Sequence, residues 1–316
     1  ELDIFVTNTL VDMYAKCETI DDARCVFERA VKKDIVTWNV IMSGCLYQGM
    51  HDECLKYFYR IQHENMMPND VSFISGLKAC IGCTSLIIGK QIHVQVFGSF
   101  LAHANNINVL NTVLDVYAKC GFLAKASDVF DKLLFQGVIS WTALMAGYAQ
   151  IGENERVFYI FERMLGEGIK PDSISFIVLL NACSHAGLFE ESQSYFEAMS
   201  KHYGIIPISK HYYCMIDLLV QTDQIEYAMT MISNVVFHRD PIAWFIALGA
   251  CKKWGNVELG SHAFEQALLL DEKETSAYVS MYNISIDFSI QANAEEVEAM
   301  RLTGIKTEAP NMLFVD

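Results

Sequence analysis

The sequence predicts an all-α fold, a right-handed superhelical solenoid of tandem helix-turn-helix repeats. Three observations predict it. The chain falls on itself when shifted by 103 residues: Asn8 meets Asn111, Tyr14-Ala15-Lys16-Cys17 meets Tyr117-Ala118-Lys119-Cys120, Trp38 meets Trp141, Gly44 meets Gly147, Phe58 meets Phe161 and Pro68 meets Pro171. Inside that period lie three units of 31, 35 and 36 or 37 residues. Each unit carries two apolar stripes of helical spacing with a break between them. A helical hairpin of about 35 residues cannot bury both apolar faces alone, so tandem copies stack and bury them on one another.

The units run 4–34, 35–69, 70–106, 107–137, 138–172 and 173–208, followed by a weaker one at 209–240 and a tail at 241–316. The fifth shows the pattern most plainly. Trp141, Leu144, Met145 and Tyr148 fall at i, i+3, i+4 and i+7, one face of a 3.6-residue period. Ile151-Gly152 interrupts the stripe, and Val157, Ile160, Phe161 and Met164 repeat it. Gly166 and Gly168 suit a helix C-terminus, and Pro171 cannot continue a helix.

Composition narrows the function. Hydrophobic residues make up 52% of the 316 and prolines number five, yet no apolar run reaches the roughly 18 residues of a membrane span. The longest candidate, Pro241 to Cys251, is too short and contains Gly249. No membrane partner is expected. Six of the ten cysteines (Cys17, Cys45, Cys80, Cys120, Cys183 and Cys251) sit at matching repeat positions, as small buried hydrophobes would in a reducing compartment. The net charge of −15 counts against bulk attraction to nucleic acid, since phosphate contacts need Lys and Arg. Any RNA contact must come from a local groove and from bases.

The motifs resemble the pentatricopeptide repeat proteins of plants, in the subclass that cycles short, ordinary and long repeats. Asn8 to Cys17 and Leu114 to Gly121 resemble the short repeat. Asp34 to Asn39 and Val138 to Thr142 resemble the ordinary one, and Leu77 to Cys80 and Leu180 to Leu188 the long one. Trp244 to Gly260 and Tyr278 to Val315 resemble two C-terminal extension motifs, giving a tail similar to tetratricopeptide repeats. The resemblance covers essentially the whole chain. It implies a non-enzymatic protein that binds single-stranded organellar RNA in a mitochondrion or chloroplast, the mitochondrion being favoured. It implies a site-recognition factor for C-to-U RNA editing or other RNA processing. No deaminase domain of its own is expected, the enzyme being recruited in trans through 241–316. No cofactor and no metal are implied.

The resemblance also implies a site. The fifth and last residues of each repeat read one base by hydrogen bonds to its Watson–Crick edge, and the second residue packs on its face. The reading pairs would be Asn8 with Asp34 for uracil, Asn39 with Asn69 for pyrimidines, and Thr142 with Asp172 for guanine. Asn111 is matched with Gly137, which has no side chain, so discrimination there is expected to be weak. Ile74 with Asn106 and Ile177 with Ile208 would be spacers, and Tyr213 with Asp240 specifies no clear base. The base-packing residues would be Phe5, Val36, Val71, Ile139 and Ile174, with Asn108 and Lys210 departing from apolar.

Each reading has a plainer alternative. A lone Asn or Thr near a helix start is commonly a cap or a solvated first-turn residue. Val36, Val71 and Ile139 would serve equally well as core between repeats. A protein-binding helical scaffold without RNA affinity is the rival function, favoured by the acidic charge; a basic groove would argue against it and an acidic groove for it. A second rival is a zinc deaminase, because His51-Asp52-Glu53 and Cys80-Ile81-Gly82-Cys83 mimic its H-x-E and C-x-x-C pattern. Against it, both pieces also fit ordinary repeat positions.

Overall fold

The structure, a computed structural model, describes residues 3–17, 19–98, 106–234, 241–270 and 275–287. The described residues form α-helices joined by turns. They fall into two compact units, one up to Ile169 and one from Lys170. The first unit holds five hairpins: α1 (Ile4–Lys16) with α2 (Ile20–Arg29), α3 (Ile35–Tyr47) with α4 (His51–His63), α5 (Asp70–Gly82) with α6 (Leu86–Gly98), α7 (Ile107–Lys119) with α8 (Leu123–Asp131), and α9 (Val138–Gln150) with α10 (Asn154–Gly166). The second holds α11 (Ser173–Ala186) with α12 (Phe189–Lys201), α13 (Ser209–Gln221) with α14 (Ile225–Asn234), α15 (Pro241–Trp254) with α16 (Val257–Leu270), and α17 (Thr275–Asp287). Among the described residues no helix is long and apolar enough to cross a membrane.

Within each unit the first helix of a hairpin packs on the first helix of the next, as α1 does on α3, α7 on α9, and α11 on α13. It also packs on its own second helix, and in α4 to α5 and α8 to α9 the second helix reaches the following repeat. First helices are therefore surrounded, which explains sequences with no charge at all in α3 and α9. Second helices cover one side and stay amphipathic, α10 burying Val157, Ile160, Phe161 and Met164 and exposing Arg163 and Glu162.

The 103-residue shift is visible in the packing. Phe27 lies edge-on to Trp38 at 4.8 Å between ring centroids, and Phe130 lies edge-on to Trp141 at 4.7 Å. The Arg60 guanidinium sits 5.3 Å from the Trp38 ring and pairs with Glu28 at 2.6 Å; Arg163 sits 5.1 Å from Trp141 and approaches Asp131 at 4.0 Å. The arginines roof the buried indoles, a favourable stacking of a cation on an aromatic face. The matched glycines have a steric reason. A Cβ on Gly44 would come within 2.5 Å of the Ala15 Cβ, and one on Gly147 within 2.7 Å of the Ala118 Cβ, so glycine sets how closely α1 and α7 approach their neighbours. Gly152 and Gly168, in the turn and after α10, have φ of +79° and +73°, conformations that glycine adopts without strain.

In the second unit one core runs through the expected motif boundary at 240/241. Ile216, Leu219 and Ile232 share it with Trp244, Leu248, Phe264 and Tyr278. The tail hairpin thus continues the stack in packing, whatever its motif. The second extension motif, Tyr278 to Val315, is described only as far as Asp287, and its Gly304 to Pro310 portion lies outside the described residues.

All ten cysteines are free thiols, with Cys45, Cys54, Cys80, Cys183 and Cys251 buried. Burial pushes Cys45 up to about 11 and Cys80, Cys183 and Cys251 up to about 12, and it raises Cys54 as well. A thiol-specific reagent at pH 8 is expected to modify exposed Cys17 and Cys25 in the folded protein and to reach these five only in denaturant. Counting modified thiols by mass before and after unfolding checks this; equal rates for all ten would contradict the burial.

Candidate RNA interface

Each first helix begins one residue after the last residue of the preceding repeat, so repeat position and helix position coincide. The last residue is the N-cap. Asp34 Oδ1 accepts from the Thr37 backbone N–H at 2.8 Å, Asn69 Oδ1 from Ser72 at 3.1 Å, and Asp172 Oδ1 from Ser175 at 2.8 Å. In each case the Thr or Ser hydroxyl accepts the N–H of the cap residue in return, closing a reciprocal box. The plainer alternative of a cap thus applies to Asp34, Asn69 and Asp172. It does not apply to Asn8, Asn39, Asn111 and Thr142, which sit at the fifth helical position. Asn39, Asn111 and Thr142 are buried there and Asn8 is half-buried.

Fifth and last residues are brought together in two repeats. The Asn39 amide donates to Asn69 Oδ1 at 3.0 Å, and the Asn8 amide to Asp34 Oδ1 at a longer 3.5 Å. Burial raises the Asp34 carboxyl, but hydrogen bonds from the Thr37 backbone and hydroxyl and from Asn8 outweigh it and hold the group below the usual carboxylate range. Thr142 belongs to the first unit and Asp172 to the second.

The second-position residues stand out of the helices into solvent. Phe5 is 74% exposed, Val36 49%, Val71 49%, Ile139 61% and Ile174 58%. They are not inter-repeat core. Within the first unit Phe5, Val36, Val71 and Ile139 form a register of exposed apolar side chains, one per repeat, interrupted by the exposed Asn108. In the second unit Lys210 takes that position on α13.

The other repeats look different. Asn106 pairs with Asp70 rather than meeting Ile74, and its Oδ1 caps Asn108. Ile208 cannot cap, and a histidine replaces the box. The Ile208 N–H donates to His211 Nδ1 at 3.0 Å, so His211 Nε2 carries the proton donated to the Ser173 carbonyl at 2.8 Å. His211 is buried and fully used in this way. Asp240 lies outside the described residues.

Charge on the first helices is balanced. In the first unit Asp12, Asp70 and Asp115 are matched in number by Lys16, Lys78 and Lys119, and Lys16–Asp12 at 2.7 Å and Lys119–Asp115 at 2.9 Å close as ion pairs. The helices themselves are thus neutral in sum, and the cap Asp34 adds a negative charge beside them. The deaminase-like constellation does not assemble: among the described residues no three His, Cys, Asp or Glu side chains gather as metal ligands. Cys80 is buried in α5, and the Cys83 thiol, raised to about 11 first by burial and then by Asp52, donates to Asp52 Oδ1 at 3.2 Å.

Sequence reasoning missed the hydroxyls three residues after four of the last positions, Thr37, Ser72, Ser140 and Ser175. All four are buried. Their signal was present in the sequence: a Ser or Thr recurs at one register point in four repeats.

Comparison with known proteins names the repeat. A model of the PPR (pentatricopeptide) repeat matches residues 5–35, 36–66, 109–138 and 174–203, and a PPR repeat family model matches 136–185. The chain is a pentatricopeptide repeat protein. Its relatives include a mitochondrial pentatricopeptide repeat-containing protein of Arabidopsis thaliana, 34% identical over 98% of this chain and 48% of its own length. A chloroplastic one from the same plant is 35% identical over 88% of this chain and 38% of its own. This pentatricopeptide chain thus spans less than half the length of these relatives. Among solved structures it is similar in fold to the pentatricopeptide repeat protein PPR10 in complex with an 18-nt psaJ RNA element. The TM-score is 0.73 at 15% identity, covering 97% of this chain and 46% of that one.

Proposed function

We propose that this pentatricopeptide repeat chain binds single-stranded RNA in a plant organelle, one base per repeat, and positions a processing enzyme supplied in trans. The observation that carries the reading is the coincidence of two registers on the first helices: exposed apolar second residues, and polar fifth residues hydrogen-bonded to the last residue in two repeats. An exposed apolar side chain beside a fixed amide suits a base, whose face is apolar and whose edge is polar. RNA bound by the relative in fold, and organelles in the names of the sequence relatives, support the same reading. The short, ordinary and long cycle of repeats fits a C-to-U editing factor, with 241–316 as the recruiting surface. The balanced charge of the first helices implies that bases supply most of the affinity, with a shallow dependence on salt.

The test is a binding assay at stated salt with RNAs carrying U, a pyrimidine, any base, any base and G against repeats one to five. Replacing G by A opposite Thr142, or U by A opposite Asn8 and Asp34, is expected to weaken binding by about 1 kcal/mol or more each. Binding without such preference would reject the residue assignments, and no binding would favour the protein-binding scaffold.

A further inference from the structure

Four first helices carry a hydroxyl at their third residue, and it does not serve every junction alike. At the first junction the Thr37 hydroxyl donates to Asp34 Oδ1 at 2.8 Å, and the buried Asn8 Oδ1 has no partner. At the second the Ser72 hydroxyl lies between two acceptors, Asn39 Oδ1 at 2.7 Å and Asn69 Oδ1 at 3.0 Å. At the fourth the cap residue is Gly137, which offers no side-chain oxygen. The Ser140 hydroxyl is there given over to Asn111 Oδ1 at 2.7 Å. Both groups are buried, so the bond is shielded from water and fixes which way the Asn111 amide is turned.

We infer that Ser140 is a specificity-determining positioning residue: it takes the place of the missing last-position side chain and turns the fourth repeat into a selective reader of keto bases. The inference rests on the RNA-binding function proposed above. With its oxygen turned to the buried Ser140 hydroxyl, the Asn111 amide presents its N–H donors toward a base. A donor suits a base whose exocyclic edge group accepts, O4 of uracil or O6 of guanine. It opposes the amino groups of cytosine and adenine, which are donors themselves. On this inference the fourth repeat discriminates, where the bare Gly137 alone implied weak discrimination.

The experiment uses the full chain and four RNAs identical except for the base opposite the fourth repeat, with U against the first repeat throughout. The intact protein is expected to favour U and G over C and A by about fivefold or more. Ser140→Ala, which removes the donor, is expected to reduce that ratio to below about twofold, while the preference for U over A at the first repeat stays. Ser140→Thr keeps a hydroxyl, as Thr37 does one period earlier, and is expected to restore the keto preference. A second variant guards against misfolding of the first. Gly137→Asp is compatible with a φ of −83° and meets only the exposed Phe135 ring, at 3.2 Å. It recreates the Asp34 arrangement, captures the hydroxyl and moves the preference of the fourth repeat to that of the first. A flat response at the fourth repeat beside a selective first repeat overturns the inference alone. So does a keto preference unchanged in Ser140→Ala. Absence of binding to any of the RNAs overturns the function and the inference together.

Discussion

Trp141→Ala is expected to destabilise the first unit by about 3–5 kcal/mol, the range for emptying a fully buried large aromatic site. Trp141 is wholly inaccessible, edge-on to Phe130 and roofed by Arg163. Its removal leaves a cavity beside Phe130 of α8 and Arg163 of α10, in an interior packed too closely to collapse fully onto the gap. The indole nitrogen of Trp141 is buried without a hydrogen-bond partner. Trp141→Phe keeps the edge contact and removes that orphan donor, so its cost is expected to stay below about half that of alanine. Urea unfolding followed by helical ellipticity measures both. A loss under about 1 kcal/mol for alanine would show that the stack closes over the gap.

The second large effect is on binding. The triple change Val36→Ser, Val71→Ser and Ile139→Ser is expected to lower RNA affinity at least about tenfold, since each side chain would lose its contact with a base face. Because all three are exposed, stability is expected to remain within about 0.5 kcal/mol per substitution. The two measurements separate the readings. Unchanged affinity removes the packing role, and a large fall in stability would return these residues to the core.

That separation was not available from sequence. The hairpins were legible because second helices are amphipathic: Val157, Ile160, Phe161 and Met164 announce their face, and all four are buried. The first helices announce less: α9 shows the stripe of Trp141, Leu144 and Met145, but the residues off the stripe are apolar as well. In α3, Ile41 and Met42 are buried and Val36 is exposed, yet all three look alike in a helix packed on several sides. Polar residues misled in the other direction. Asn39 and Asn111 resemble caps and are buried one turn inward, while Asp34 and Asn69, cast only as readers, are the caps. The role of Ser140 escaped because it depends on an absence, the side chain that Gly137 lacks. The near-neutral first helices were hidden behind a net charge of −15 that whole-chain counting could not localise.

The proposed double duty of the last residue, as helix cap and as base reader, limits how such a surface can be rewritten. Asp34, Asn69 and Asp172 finish one repeat and start the helix of the next with a capping box. A side chain too long or too apolar to cap forfeits about 0.5–2 kcal/mol at that helix, whatever it gains toward a base. Selection for new targets is therefore confined to a short alphabet of Asp, Asn, Ser and Thr wherever stability matters. Departures such as Gly137 and Ile208 persist where a neighbour, Ser140 or His211, takes over one of the bonds. On the proposed reading, the letter that sets the grammar of the fold also spells the target.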